Sequence, residues 1–255
     1  MIEIFVFVEG QTERLFIDKI LQKYYASNDI HIPIFNHPAR NSYIKNENEK
    51  LRKIYANPLK PKCCFFIYDC EGVSSIPSKM SEILNKLPTW RNFNYVITLR
   101  DLSKALGKTK ISTKTHAEIL EAINKIKIRI LHKDGYNYKW IDRTEHFFAV
   151  MEIEAWFLKE YSFLIKINNS LTQDNIKQKL KINLLNDDVE LYPKPSKTLD
   201  DIYNLANLKY DKNKDEVIKI ISMIDYKSLF TYVRKNMPHL HNFLEFIDNC
   251  NCSKI

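Results

Sequence analysis

The residues in this chain best placed to do chemistry are carboxylates that arrive at the ends of apolar runs. Glu9 closes Ile2-Glu3-Ile4-Phe5-Val6-Phe7-Val8, and Asp69 closes Cys63-Cys64-Phe65-Phe66-Ile67-Tyr68. Gly10 directly follows Glu9, and Gly72 directly follows Glu71. Asp101 ends a third run, Tyr95-Val96-Ile97-Thr98-Leu99-Arg100. An apolar run stopped by an acid and a glycine describes a buried strand that delivers charge to the edge of a sheet. Carboxylates gathered at the ends of neighbouring parallel strands can hold a hard divalent cation, Mg²⁺ or Mn²⁺. Such a cation neutralises a phosphodiester and stabilises its leaving oxygen. The ligand candidates are Glu9, Asp69, Glu71 and Asp101, with Glu152 and Glu154 available for a second cation. Glu154 or Glu152 is also a candidate general base, although an i, i+2 pair shares a face only in extended backbone. Glu9, Asp69, Asp101 and Glu154 form the candidate catalytic set. Arg100 either pairs with Asp101 or reaches a substrate phosphate. Plainer roles fit the same residues: a helix-capping turn for Glu9–Glu13, and a structural contact beside Trp156 for Glu154.

The elements that must position these groups alternate along the first half. Strand 2–8 leads to a helix from about Thr12 to Tyr25, with Thr12 as N-cap and Leu15, Phe16, Ile20 and Tyr24 at helical spacing. Asp29–Phe35 reads as a second strand, and a polar helix over Tyr43–Tyr55 stops before Pro58. Strand 63–68, a helix near Pro77–Leu87, strand 95–99, a helix from about Thr115 to Leu131 and a strand at 145–151 follow. A helix at 152–158 completes the series. Strands separated by helices imply right-handed crossovers and a parallel sheet covered on both faces. After Lys159 strand signals vanish, and helical spacing recurs at 171–180, 199–208, 216–224, 226–233 and 240–247 around an extended hinge at 191–197. The expected organisation is an α/β core over residues 1–160 and a helical C-terminal cap over 161–255.

Composition narrows the partners. The chain is 45% hydrophobic and 27% charged over 255 residues, which is globular rather than disordered. No apolar stretch approaches the roughly 20 residues a bilayer demands, and the first residues carry no basic lead or cleavage signal. A cytoplasmic protein without a membrane partner is expected. Five cysteines, an odd count with an adjacent pair, argue against a disulfide framework and for reduced thiols. Cys250-Asn251-Cys252 with His239 and His241 matches no common zinc spacing. Net charge is +8, and the segment from Lys104 to Arg143 holds ten Lys/Arg against four acids. With Tyr136, Tyr138 and Trp140 near its end, that segment suits a surface tracking a nucleic-acid backbone; a solvated helix face explains it almost as well. Lys104, Lys108, Lys110, Lys114, Lys194, Lys197 and Arg100 are the candidate phosphate contacts. Gly107-Lys108-Thr109 ends like a P-loop, but Leu102 stands where its first glycine must be, so nothing supports ATP hydrolysis.

Val8-Glu9-Gly10-Gln11-Thr12-Glu13, followed by a later strand with an acidic turn, resembles the Toprim superfamily of topoisomerases, DnaG-type primases and overcoming-lysogenization-defect nucleases. Together with Glu152-Ile153-Glu154-Ala155-Trp156, it looks most like an uncharacterised bacterial Toprim-like family, domain of unknown function 4276. The resemblance covers roughly residues 1–160. It implies a Toprim-like Rossmannoid sheet and a metal-dependent nuclease that cleaves DNA or RNA phosphodiesters with Mg²⁺ or Mn²⁺. It also implies a role beside an ATPase in anti-phage defence. The chain departs from the superfamily's D-x-D second motif, offering Asp69-Cys70-Glu71 and Asp101-Leu102-Ser103 instead. That departure leaves a second expectation standing: a catalytically inactive binding or regulatory subunit of an ATPase-containing complex.

Overall fold

The computed structural model describes residues 1–26, 33–37, 50, 52–54, 56, 61, 63–87, 93–102, 115–133 and 143–250. Its first part alternates β1 (Ile2–Val8), α1 (Gln11–Ala26), β2 (Ile34–His37), β3 (Cys63–Asp69), α2 (Ile76–Asn85), β4 (Tyr95–Asp101), α3 (His116–Lys133) and β5 (Thr144–Ala149). The five strands form one sheet in the order β2-β3-β1-β4-β5. Strand β1 pairs in parallel with β3 and β4, and β2 pairs in parallel with β3. The protein is therefore α/β, with a parallel sheet in its first half and helices throughout its second. Strand β2 is Ile34–His37 and runs two residues past the expected end at Phe35, while residues 29–32 of the expected strand lie outside the described residues. Most of the helix expected over 43–55 falls outside the described residues.

Two compact units divide the chain. One comprises Met1–Arg100, Lys127–Phe147 and Phe243–Ile255; the other comprises Asp101–Ile126 and Phe148–Asn242. In the first unit β1 is buried from Glu3 to Val8, as a strand flanked by parallel neighbours must be. The register places Phe5 opposite Phe66 and Phe66 opposite Phe35. Their rings stack across three strands, with centroids 4.8 and 4.9 Å apart. One step along the pleat, Phe7 and His37 stack on Tyr68 at 5.2 and 4.5 Å. Cross-strand rings of this kind hold register, because a slip of one residue sends every ring to the other face. Helix α1 supplies Phe16, Ile17, Ile20 and Leu21 at helical spacing, all fully buried.

The second unit is helical. It is built on α4 (Glu154–Glu160), α5 (Ser162–Ile167), α6 (Gln173–Leu180), a 3₁₀ turn at Val189–Leu191, α7 (Pro195–Asn204) and α8 (Lys214–Met223). A continuous helical stretch follows, made of Tyr226–Ser228, a π-helical turn at Leu229–Val233 and Arg234–Asn236; α9 (Pro238–Asn249) begins in this unit. The hinge expected at 191–197 is half helix, since Pro195 opens α7 where its missing N–H costs nothing. Side-chain caps start several elements: Thr172 accepts from Asn175 N–H, Asn213 from Glu216 N–H, and Asp225 from the Lys227 and Ser228 N–H groups. Helix α4 is buried on every side.

One expectation about the thiols is corrected. Cys63 is disulfide-bonded, whereas Cys64, Cys70 and Cys250 form no disulfide. An odd cysteine count rules out complete pairing but leaves room for a single bond.

Candidate functional site

Strand β1 occupies the middle of the sheet, with β3 on one side and β4 on the other. The sequence could not choose which acid-terminated strand lies beside β1, and the topology gives it both. Glu9 follows β1 by one residue and is 3% exposed. Its backbone is clamped from two sides: its N–H donates to Leu99 C=O at 3.2 Å, and its C=O accepts from Gly72 N–H at 2.7 Å. The neighbouring Cys70 N–H donates to Val8 C=O at 3.0 Å. Gly72 can make this approach because it sits at φ 134°, ψ 157°, a conformation essentially closed to residues with a Cβ.

Asp69 ends β3 and is 7% exposed. Its Oδ1 accepts from Glu71 N–H at 3.1 Å, and its Oδ2 lies 3.6 Å from Arg14 Nε on α1. Burial raises the Asp69 pKa above the ordinary aspartate value, and the Glu71 amide and Arg14 guanidinium pull against that effect. Arg14 is itself buried and donates from Nη1 to Asn36 Oδ1 at 2.7 Å. Glu71 is exposed and stands at φ 58°, in the left-handed region. The first unit therefore presents a buried Glu9, a buried and incompletely matched Asp69, and an exposed Glu71 at the carboxyl ends of β1 and β3. Arg100 is 1% exposed within β4. It contributes to holding the partly buried His146 ring neutral, with a pKa pushed down to about 3, chiefly by burial and further by Arg100 and Lys127.

The remaining acids lie in the second unit. Asp101 is fully buried, and its Oδ1 accepts from Ile153 N–H at 3.1 Å. Glu152 Oε2 accepts from Ser196 N–H at 2.8 Å and so caps the start of α7. Glu154, fully buried, has Tyr210 Oη donating to Oε1 at 2.8 Å, and Lys212 Nζ at 2.8 Å from Oε1 and 3.1 Å from Oε2. The next charged residue along α4, Lys159, donates to the carbonyls of Leu184, Leu185 and Asp187 at 3.3, 3.0 and 2.9 Å. Residues 152–160 thus take backbone and side-chain partners from distant parts of this unit.

The family described as a domain of unknown function (DUF4276) matches residues 8–248. The chain belongs to that family. No curated protein and no solved structure matches it. Of the basic residues predicted to contact phosphate in this DUF4276 chain, Lys104, Lys108, Lys110 and Lys114 lie outside the described residues. Lys194 is exposed, and Lys197 pairs with Asp200 and Asp201 at 3.1 and 2.7 Å. Sequence reasoning missed Arg14 and Asn36, the groups behind Asp69, and Tyr210 and Lys212, the partners of Glu154. No local spacing marks them, because Arg14, Tyr210 and Lys212 reach their carboxylates, and Asn36 reaches Arg14, from remote parts of the chain.

Proposed function

We propose that this DUF4276 chain is a Toprim-type nuclease that cleaves nucleic-acid phosphodiesters, with Mg²⁺ or Mn²⁺ held by Glu9 and Asp69 and completed by water and substrate oxygens, and that it acts as an effector in anti-phage defence. The observation carrying this is the clamped Glu9 on the central strand, beside a strand that ends in a buried Asp69 with one imperfect ion pair. Burying a carboxylate without full compensation is costly, and a divalent cation is the partner that removes the cost. Both side chains offer the hard oxygen donors that Mg²⁺ and Mn²⁺ prefer, and exposed Glu71 borders the position from solvent. When bound, the cation supplies charge neutralisation at the phosphate and a polarised water. The chain's own part is to fix Glu9 through two backbone hydrogen bonds and to orient Asp69 from Arg14 and the Glu71 amide. Glu152 and Glu154 are assigned to the packing of the second unit, since their oxygens already accept from Ser196, Tyr210 and Lys212.

A second reading, an inactive Toprim-fold subunit docking onto an ATPase, is favoured by the incomplete D-x-D motif. The deciding experiment incubates the full chain with plasmid, single-stranded DNA and tRNA in Mg²⁺ or Mn²⁺, beside Glu9→Ala and Asp69→Asn. Each variant is expected to lose at least about 100-fold in cleavage rate, as removal of several kcal/mol of transition-state stabilisation implies. Cleavage equal in the variants removes the site. No cleavage together with no metal-induced thermal shift favours the docking subunit.

A further inference from the structure

Away from the acids of the sheet edge, the second unit brings two imidazoles and a carboxylate together from three remote parts of the chain. His116 opens α3, Glu190 lies in the 3₁₀ turn at Val189–Leu191, and His239 lies in the first turn of α9. One ligand-capable atom from each falls within 4.8 Å of the other two. Glu190 is 0% exposed, and neither of its carboxylate oxygens has a hydrogen-bond partner. The Trp156 indole N–H and the His239 backbone N–H lie on the same side of that carboxylate and lower its pKa, but burial outweighs them and pushes it up to about 8. An unmatched carboxylate aimed at two imidazoles is an incomplete coordination shell. His116 Nε2 is bonded to Asp188 Oδ2, the outer carboxylate that commonly fixes the tautomer and orientation of a metal-bound histidine.

We propose that His116, Glu190 and His239 bind a divalent transition-metal ion, with Zn²⁺ the expected occupant. Two imidazole nitrogens and one carboxylate oxygen are borderline donors that suit Zn²⁺ and its first-row neighbours, and they discriminate against Mg²⁺. Ligand atoms around zinc stand roughly 3.4 Å apart, given bonds of about 2.1 Å. The cluster therefore contracts on binding, and exposed His116 moves together with its Asp188 partner. Three protein ligands leave a fourth position for water on the exposed His116 side. The ion would tie the starts of two helices to the 3₁₀ turn across long loops, where a cross-link contributes most.

The test uses the full chain stripped with chelator. Zn²⁺ is titrated by calorimetry, and Co²⁺ is followed by its visible absorption. One tight equivalent of Zn²⁺ is expected, with a Co²⁺ spectrum of a four- or five-coordinate nitrogen and oxygen site. His116→Ala and His239→Ala should each weaken binding by at least about 100-fold, and Asp188→Asn by about 10-fold. His241→Ala and Glu9→Ala should bind as wild type; retained Zn²⁺ binding in Glu9→Ala separates this site from the proposed nuclease centre. His116 is exposed, so its alanine variant keeps the fold, checked by circular dichroism. The proposal is overturned by no tight Zn²⁺ equivalent in the wild type, by unchanged affinity in the His116→Ala/His239→Ala double variant, or by a thiolate charge-transfer band showing cysteine ligation.

Discussion

Asp69, Glu154 and Glu160 are all buried carboxylates, and their partners separate their roles. Glu154 has Lys212 and Tyr210 on its two oxygens, so its charge is matched within hydrogen-bond distance. Asp69 has one amide and a guanidinium at 3.6 Å, a weaker match at a sheet edge where ligands enter. Glu160 has the Ser162 hydroxyl donating at 2.6 Å to Oε1, and burial pushes its pKa up to about 7. A folded-state pKa above the unfolded value of 4.5 means the native state holds a proton that the unfolded chain has released. That contribution to stability is present below pH 4.5 and is lost as pH rises through 7. Urea unfolding of the wild type should show stability falling by about 1–3 kcal/mol from this group between pH 5 and 8. Glu160→Gln should flatten that dependence; an equally steep profile in the variant would place the titration elsewhere.

Turns between elements aim the candidate site. The β3–α2 connection passes through Glu71 at φ 58° and Gly72 at φ 134°, and from there the Gly72 amide reaches back to the Glu9 carbonyl. A Cβ at Gly72 meets no heavy atom within 4 Å, so the obstacle to substitution is backbone strain rather than crowding. Gly72→Ala is expected to cost about 1–3 kcal/mol and to weaken Mn²⁺ binding, as the hydrogen bond to Glu9 loosens. Thermal melts with and without Mn²⁺ read both effects. Unchanged stability would show that the turn relaxes freely. The β1–α1 turn differs: at Gly10 a Cβ would come 3.3 Å from Glu13 Oε2, so there a side chain crowds its neighbour.

Each compact unit of the whole molecule is assembled from separated stretches of chain. In the first unit, Phe243 and Phe246 of the last helix pack edge-to-face on Phe147 at 5.5 and 5.4 Å, and Phe246 also meets Tyr95 at 5.5 Å. Deleting the buried Phe243 alone removes about 3–5 kcal/mol, and the half-buried Phe246 adds to that loss, a large share of a typical domain's stability. A chain ended at Asn242 should therefore lose near-UV circular dichroism and become protease-sensitive within residues 1–100. A truncated chain with wild-type melting would show that the sheet holds without them. Among the described residues no helix is long and apolar enough to cross a membrane.

Much of this architecture was legible beforehand. Short continuous apolar runs and helical spacing are local signals, so β1, β3, β4, α1 and the run of later helices could be read to within a few residues. The same signals placed Glu9, Asp69 and Asp101 at strand ends. Strand order, by contrast, follows from how ring faces such as Phe5, Phe66 and Phe35 pack, and only the folded chain shows β1 lying between β3 and β4. The partners of Glu152 and Glu154 were equally hidden, because Ser196, Tyr210 and Lys212 reach them across long sequence separations. His116, Glu190 and His239 carry no spacing at all that a linear reading could find. Hydrophobic periodicity alone decided which segments became strands and helices, since burial of one face is a local requirement. Which charges meet, and which stay unmatched, was decided only in three dimensions, where desolvation and distance set the energy of each pair.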